Sequence, residues 1–249
     1  MSYVVAIGGG EIERGETRAA DELILDLTGK SVPNVLFLPT ASEDDPAYVD
    51  KFRDYYTSLG AVVTVLEVAS GETSPNEIED KVGAANAFYG GGGRFLTLKD
   101  AWELSGLDAQ LIGRVDDDVV FGGQSAGANC WFSYASSDSK RPGDPQEPKH
   151  TVINGLAIVR NTLFSPHFST ERDEREPALI AQLESRPDIA RGVSADDCAA
   201  YVAELVGGEV MDEYAVSTSS DVGSRVYTRT EEGVLWRPLP VDLSYTPIS

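Results

Sequence analysis

The sequence has few of the residues from which covalent or metal frameworks are built. Its 249 residues include two cysteines, Cys130 and Cys198, and two histidines, His150 and His167. Two distant cysteines give neither a disulfide framework nor the C-x-x-C spacing of a metal site, so reduced structural thiols are expected, with no metal and no cofactor. Basic residues are also scarce: 20 Lys and Arg stand against 41 Asp and Glu, a formal net charge of −21. Nucleic acid and anionic membrane both demand a basic face, which excludes them as expected partners. No apolar run approaches the roughly 18–20 residues that span a bilayer. The opening Met1-Ser2-Tyr3-Val4-Val5-Ala6-Ile7 lacks a basic n-region and enters an apolar strand at once, so no signal peptide is expected and the expected location is cytoplasmic.

What is present reads as an α/β protein. A continuous apolar run, Tyr3–Gly8, suits a parallel strand covered on both faces and is closed by Gly8-Gly9-Gly10. Further strands are predicted at Asn34–Leu38, Ala61–Val68, Ala87–Tyr89 and Val119–Phe121. Helices are predicted between them at Thr17–Leu27, at Ala47–Leu59 with Pro46 before it and Gly60 after it, after Ser74-Pro75, and at Phe95–Leu104 and Asp108–Arg114. This alternation predicts a doubly wound, mostly parallel sheet with helices on both faces. After residue 135 the rhythm changes. Ser133–His150 is polar and rich in Pro, Gly and Asp, and reads as a long loop. Strand-like segments resume at Leu156–Arg160, Leu163–Phe164, Ala199–Glu204, Val226–Thr228 and Val234–Arg237, with a helix at Glu176–Glu184. No repeat or linker divides the chain, so residues 1–249 are expected to form one domain. Residues 206–249 are left either to complete the sheet or to form an interface.

The chemistry concentrates at Gly123-Gln124-Ser125-Ala126-Gly127, a G-x-S-x-G between a short buried strand and a helix-capable stretch. A sharp strand-to-helix turn exposes such a serine at the carboxyl end of a sheet, and the Ala126 N–H then points at a developing oxyanion. The plainer alternative is a glycine-rich turn with a buried serine. A serine hydroxyl needs a base to be nucleophilic at neutral pH. Of the two histidines, His150 lies in the polar loop, whereas His167 follows an apolar strand and a proline, 42 residues after Ser125.

The segment Gly123-Gln124-Ser125-Ala126-Gly127-Ala128-Asn129 resembles the G-x-S-A-G-A-N signature of the peptidase E (aspartyl dipeptidase) and cyanophycinase family of serine peptidases, which has the class I glutamine amidotransferase-like fold. Tyr89-Gly90-Gly91-Gly92-Gly93 resembles that family's strand-end glycine cluster, and Ser165-Pro166-His167-Phe168 its P-H-F/Y segment, in the same order over about residues 1–205. The resemblance implies Ser125 as nucleophile, His167 as base, and an oxyanion hole from Ala126 with Gly92 or, next, Gly91. It implies an acid between serine and histidine, for which Asp138, Asp144 and Glu147 are the candidates and Asp138 has the closest spacing; outside that interval, Glu171 and Asp173 just beyond His167, and Asp196 and Asp197 in a later loop, are further candidates, the last two alternatively lining the substrate pocket. Arg94 departs from the family's small amide at its position and is either a carboxylate-binding residue or a surface arginine. With Arg160 and Arg172 it makes the set of candidate substrate arginines.

The implied reaction is hydrolysis of short peptides at an N-terminal aspartyl residue through an acyl-enzyme, with cleavage of β-aspartyl-arginine linkages as the cyanophycinase-like alternative. The expected partner is a small peptide substrate, and a homodimer is left open. Three rivals remain. A cysteine-nucleophile or non-enzymatic member of the same fold is opposed by Ser125. A nucleotide-binding protein using Gly8-Gly9-Gly10 is opposed by the lack of a full G-x-G-x-x-G, and no G-K-[ST] follows Gly90–Gly93. A non-catalytic binding module would follow from a missing acid.

Overall fold

The structure, a computed structural model, describes residues 1–139 and 148–245. The first half alternates as the apolar runs predict. Strands β1 (Ser2–Ile7), β2 (Asn34–Leu38), β3 (Val62–Val65), β4 (Ala87–Gly90) and β5 (Val120–Gln124) are separated by α1 (Arg18–Leu27), α2 (Pro46–Ser58), α3 (Pro75–Ala84), α4 (Phe95–Ser105) and α5 (Leu107–Ile112). Pro46 and Pro75 each occupy the first turn of their helix, and the Asp45 and Ser74 side chains cap the two helices. The second half holds α6 (Ala126–Asn129), β6 (Phe132–Ser137), β7 (Thr151–Asn154), β8 (Val159–Ser165), α7 (Arg172–Ser185), β9 (Arg191–Ala195), β10 (Ala199–Val206), β11 (Glu209–Ser217), β12 (Ser224–Thr230), β13 (Gly233–Pro238) and β14 (Val241–Asp242).

Two sheets result. The larger runs β14-β11-β10-β1-β5-β4-β2-β3. Its β1, β5, β4, β2 and β3 are mutually parallel, which is the expected doubly wound core, and β10 and β11 extend it antiparallel. The smaller runs β13-β12-β9-β8-β6-β7, parallel across β6, β8 and β9. One face of the large sheet buries Val5, Ile7, Val35, Phe37 and Tyr89 against α1 and α2, through Leu23, Ile24, Phe52 and Tyr56. The other face buries Val4, Ala6, Leu36 and Phe121 against α3 to α6 and against the inner face of the small sheet, where Phe132 and Phe164 stack. Helix α7 covers the outer face of the small sheet through Leu179 and Leu183. No helix of the described residues is long and apolar enough to cross a membrane.

One expectation is corrected here, and one left open is answered. The segment expected as a loop from Ser133 begins with β6, which pairs with β7 and β8. Its Ser136 and Ser137 are buried, so polarity there marks a strand that faces a polar cavity rather than a solvated loop. Of the two alternatives for the segment from residue 206, its described part takes the first and completes both sheets: β11 and β14 join the large one, β12 and β13 the small one.

Candidate active site

Ser125 stands where β5 breaks into α6, with φ 53° and ψ −115°. A non-glycine residue pays about 1–3 kcal/mol for such a backbone, so the surroundings must impose it. They do so from both sides. The Ser125 N–H donates to the Ile7 carbonyl at 3.1 Å, and the Ala128 and Asn129 N–H groups donate to the Ser125 carbonyl at 3.1 and 2.9 Å. The turn lies flat on β4: a Cβ on Gly127 would fall 2.0 Å from the Gly90 carbonyl oxygen. That close approach is what the glycines at 90 and 127 permit.

His167 follows the end of β8 and also has a positive φ, 52°. Its N–H donates to the Gly8 carbonyl at 3.1 Å. The ring joins two partners: Nε2 lies 2.8 Å from Ser125 Oγ, and Nδ1 lies 2.7 Å from Asp197 Oδ1. Asp197 sits in the turn between β9 and β10. Its Oδ2 accepts from Thr170 Oγ1 at 2.7 Å and Ser169 Oγ at 3.1 Å. Burial pushes this carboxyl upward, but the hydrogen bonds from His167, Thr170 and Ser169 and the nearby imidazole charge outweigh it, holding Asp197 down at about 2. With Asp197 ionised, Nδ1 carries the ring proton and Nε2 faces the serine hydroxyl as acceptor.

The expectation that Asp138 completes this line is corrected. Strand β8 runs between β6 and β9, so the residue after its end has a carboxylate to either side, Asp138 beyond β6 and Asp197 beyond β9. Room for the pair exists on the β9 side because Gly9 has no side chain. A Cβ there would stand 2.1 Å from Asp197 Oδ1 and 2.5 Å from His167 Nδ1. Asp138 is exposed and lines the cavity in front of Ser125 instead. Of the other candidates, Glu171 lines the same cavity and pairs with Arg175, Asp173 lines an outer cleft, and Asp144 and Glu147 lie outside the described residues.

The amides of the glycine cluster sort themselves by their partners. Gly91 N–H donates to the Leu38 carbonyl at 3.0 Å and continues the sheet, which corrects its expected place in an oxyanion hole. Gly92 stands beside Ser125, but its N–H donates to the Tyr48 hydroxyl at 3.2 Å. Arg94 N–H donates to the Ala41 carbonyl, and Phe95 N–H to Ser139 Oγ. Gly93 N–H has no hydrogen-bond partner among the described residues, and Gly93 lines the Ser125 cavity together with Ala126, the first residue of α6, whose N–H lies outside the helical ladder.

That cavity, about 160 Å³, is walled by polar groups. Arg175 is only 3% exposed, and its one hydrogen bond among the described residues goes from Nε to Glu171 Oε2 at 2.8 Å. Asn129 Oδ1 and Ser136 Oγ are buried there without partners among the described residues. Buried polar atoms left unpaired are costly, so a polar ligand is what this space accommodates best. A second cavity, about 330 Å³, opens beside Gln124 and Gly92 and is lined by Glu11, Glu13, Asp45, Tyr48 and Lys51. Arg175 was not among the arginines expected to meet a substrate. Arg94 is exposed at the rim beside Gly93. Arg160 lies at the opposite end of β8, near Glu209 at 3.9 Å, and Arg172 approaches Asp196 at 3.7 Å behind the Asp197 turn. Arg160 and Arg172 are thereby corrected as cavity residues, because each belongs to a different end or side of its element.

A model of peptidase family S51 matches residues 4–204. The chain is 31% identical over 244 residues to an uncharacterized peptidase, YgaJ, of Bacillus subtilis (strain 168), across 97% of this chain and 98% of that protein. Among solved structures, a peptidase from an acI-B1 Actinobacterium superposes with a TM-score of 0.65 at 18% identity, covering 97% of this chain and 95% of the other. A putative peptidase E protein from Listeria monocytogenes EGD-e superposes with a TM-score of 0.58 at 18% identity, covering 88% and 98%. At such identities the two structures speak for the fold.

Proposed function

The chain belongs to peptidase family S51 and is a peptidase, and we propose that it cleaves short peptides behind an N-terminal aspartyl residue through an acyl-enzyme on Ser125. The observation that carries the mechanism is the unbroken line Ser125 Oγ–His167–Asp197 at 2.8 and 2.7 Å. His167 Nε2 takes the hydroxyl proton as Oγ attacks the scissile carbonyl. The tetrahedral oxyanion is received by the N–H groups of Ala126 and Gly93. His167 returns the proton to the leaving amine, the C–N bond breaks, and water attacks the ester by the same route. Asp197 holds the tautomer and faces the imidazolium throughout.

The aspartyl specificity rests on Arg175. Its buried guanidinium is the arginine cation among the described residues of the Ser125 cavity, and a carboxylate side chain would accept from it and from the Ser136 hydroxyl, while Asn129 Oδ1, an acceptor, would receive a substrate N–H. Asp138 and Glu171 at the same cavity suit the substrate α-ammonium. A second reading, cleavage of β-aspartyl-arginine, is favoured by one observation: the cavity on the Gly92 side carries Glu11, Glu13 and Asp45 against the single cation Lys51, itself 3.0 Å from Glu13. A guanidinium would fit there.

Hydrolysis of Asp-Leu, Leu-Leu, Glu-Leu and β-Asp-Arg, side by side, tests both readings. Cleavage of Asp-Leu with neglect of Leu-Leu is the expected result. Arg175→Met is expected to reduce kcat/KM for Asp-Leu about a hundredfold or more, since the loss leaves a substrate carboxylate buried without its partner. Cleavage of Leu-Leu as fast as Asp-Leu would overturn the specificity, and cleavage of β-Asp-Arg alone would select the second reading.

Gly9→Ala tests the space behind the histidine. Its methyl group must displace Asp197 or His167, and kcat is expected to fall about a hundredfold with KM little changed. Unaltered kcat would show that the His167–Asp197 pair tolerates displacement.

A further inference from the structure

The stretch beyond residue 204, where the match to the family model ends, holds the turn of Asp197 from behind. Asp196, next to it in the chain, is 1% exposed and carries a full set of partners. Its N–H donates to the Gly223 carbonyl at 2.9 Å, and its Oδ2 accepts from Gly223 N–H at 3.0 Å. Arg225, on β12, donates from Nη1 to Oδ1 at 3.0 Å and from Nη2 to Oδ2 at 3.4 Å. The same guanidinium lies over the ring of Phe168 at 5.5 Å and over Trp236 at 5.7 Å. Phe168 is the residue after His167. Arg225 therefore grips the chain neighbours of both the base and the acid, one by a two-pronged ion pair and the other by stacking. Arg172, more exposed and 3.7 Å from Asp196 Oδ1, is the looser second cation.

We propose that Arg225 is a positioning residue for the His167–Asp197 pair: by clamping Asp196 and Phe168 together it fixes how closely Asp197 meets the ring. The geometry favours this over simple surface pairing. Backbone strain gathers close by, with φ positive at His167, next to Phe168, and at Cys198, two residues beyond Asp196. A strained arrangement of two loops persists only where something over-determines it. A planar fork does that better than a point charge, because two parallel hydrogen bonds and a flat stacking face fix orientation as well as distance. The second sheet's β12–β13 hairpin would thus contribute to catalysis without touching substrate.

The proposal rests on the reading of Ser125, His167 and Asp197 as the reacting unit, and the experiment separates the two. The rate of covalent labelling of Ser125 by a fluorophosphonate probe is compared in wild type, Arg225→Lys, and Arg225→Met combined with Asp196→Asn. The last removes both buried charges together, so neither is left unpaired. The low-field proton resonance of His167 Nδ1–H is recorded on the same samples. Labelling is expected to slow about fivefold in the lysine variant and about a hundredfold in the double variant, with the resonance shifted or broadened in that order. If the double variant does not fold, the lysine variant, which keeps the charge, decides alone. Labelling within about twofold of wild type in the folded variants, with an unchanged resonance, would overturn the positioning role. A wild type that takes no label at all would instead overturn the reading of the site itself.

Discussion

Ser125→Ala is expected to abolish dipeptide hydrolysis, a loss of about 10⁶ in kcat, while the melting temperature moves by no more than a few degrees. Among the described residues the hydroxyl's one hydrogen bond is the 2.8 Å contact to His167 Nε2, and a single bond of that kind contributes about 0.5–1.5 kcal/mol to stability. The backbone at this position is imposed by Ile7, Ala128 and Asn129 rather than by the side chain, so alanine inherits both the turn and its strain. Ser125→Gly makes the point from the other direction. It is expected to be equally inactive, yet to melt above the alanine variant, because φ of 53° is freely available to glycine; relief of about 1–3 kcal/mol exceeds the roughly 0.5–1 kcal/mol that glycine's backbone freedom costs. Dipeptide kinetics and thermal melting check both variants. Hydrolysis by Ser125→Ala within about tenfold of wild type would remove Ser125 as nucleophile. A glycine variant melting below the alanine one would show that the elbow holds no strain.

The serine and the histidine were legible because each depends on local chain chemistry. Glycines that let a helix cross a strand end must surround the serine, and a base must exist among only two histidines. The parallel core was legible for a similar reason: strands covered on both faces are written as unbroken apolar runs, and β1, β2, β4 and β5 all are. The acid was not legible, because what selects it is which side of β8 offers space, and that is a property of Gly9 on another strand. Gly8-Gly9-Gly10 read as a rival ligand loop when its middle residue in fact vacates room for the His167–Asp197 contact. Arg175 was hidden within Arg172-Asp173-Glu174-Arg175-Glu176, a stretch that reads as the solvated start of a helix. Burial of one charge in five cannot be inferred from that composition. Strand β6 was hidden by its serines, whose burial follows from the cavity they line.

Asp197→Asn is expected to lower kcat about 10⁴-fold, whereas Asp138→Asn is expected to leave kcat nearly unchanged and to raise KM about tenfold or less. The two carboxylates follow the strands on either side of β8, and only Asp197 bonds to the ring, so the same chemical change probes different events. At Asp197, Thr170 and Ser169 donate to Oδ2 and hold an amide oxygen at that place, which turns the amide nitrogen toward His167 Nδ1. Nδ1 must then accept, the proton moves to Nε2, and the atom that should take the Ser125 proton can no longer do so. Such a block acts on the chemical step and not on substrate affinity. Because Asp197 is held down at about 2, it is already a carboxylate from about pH 4 upward, so the deficit should persist throughout that range and vanish only where Asp197 itself would take up a proton. At Asp138 the side chain is exposed at the cavity in front of Ser125, where it would face a bound peptide. Its neutralisation weakens an exposed charge contact, which affects binding modestly and equally in ground and transition states. Steady-state kinetics of the two variants over a pH series therefore distinguishes acid from substrate contact. A large kcat loss in Asp138→Asn with a small one in Asp197→Asn would mean that the ring turns to its other neighbour during turnover.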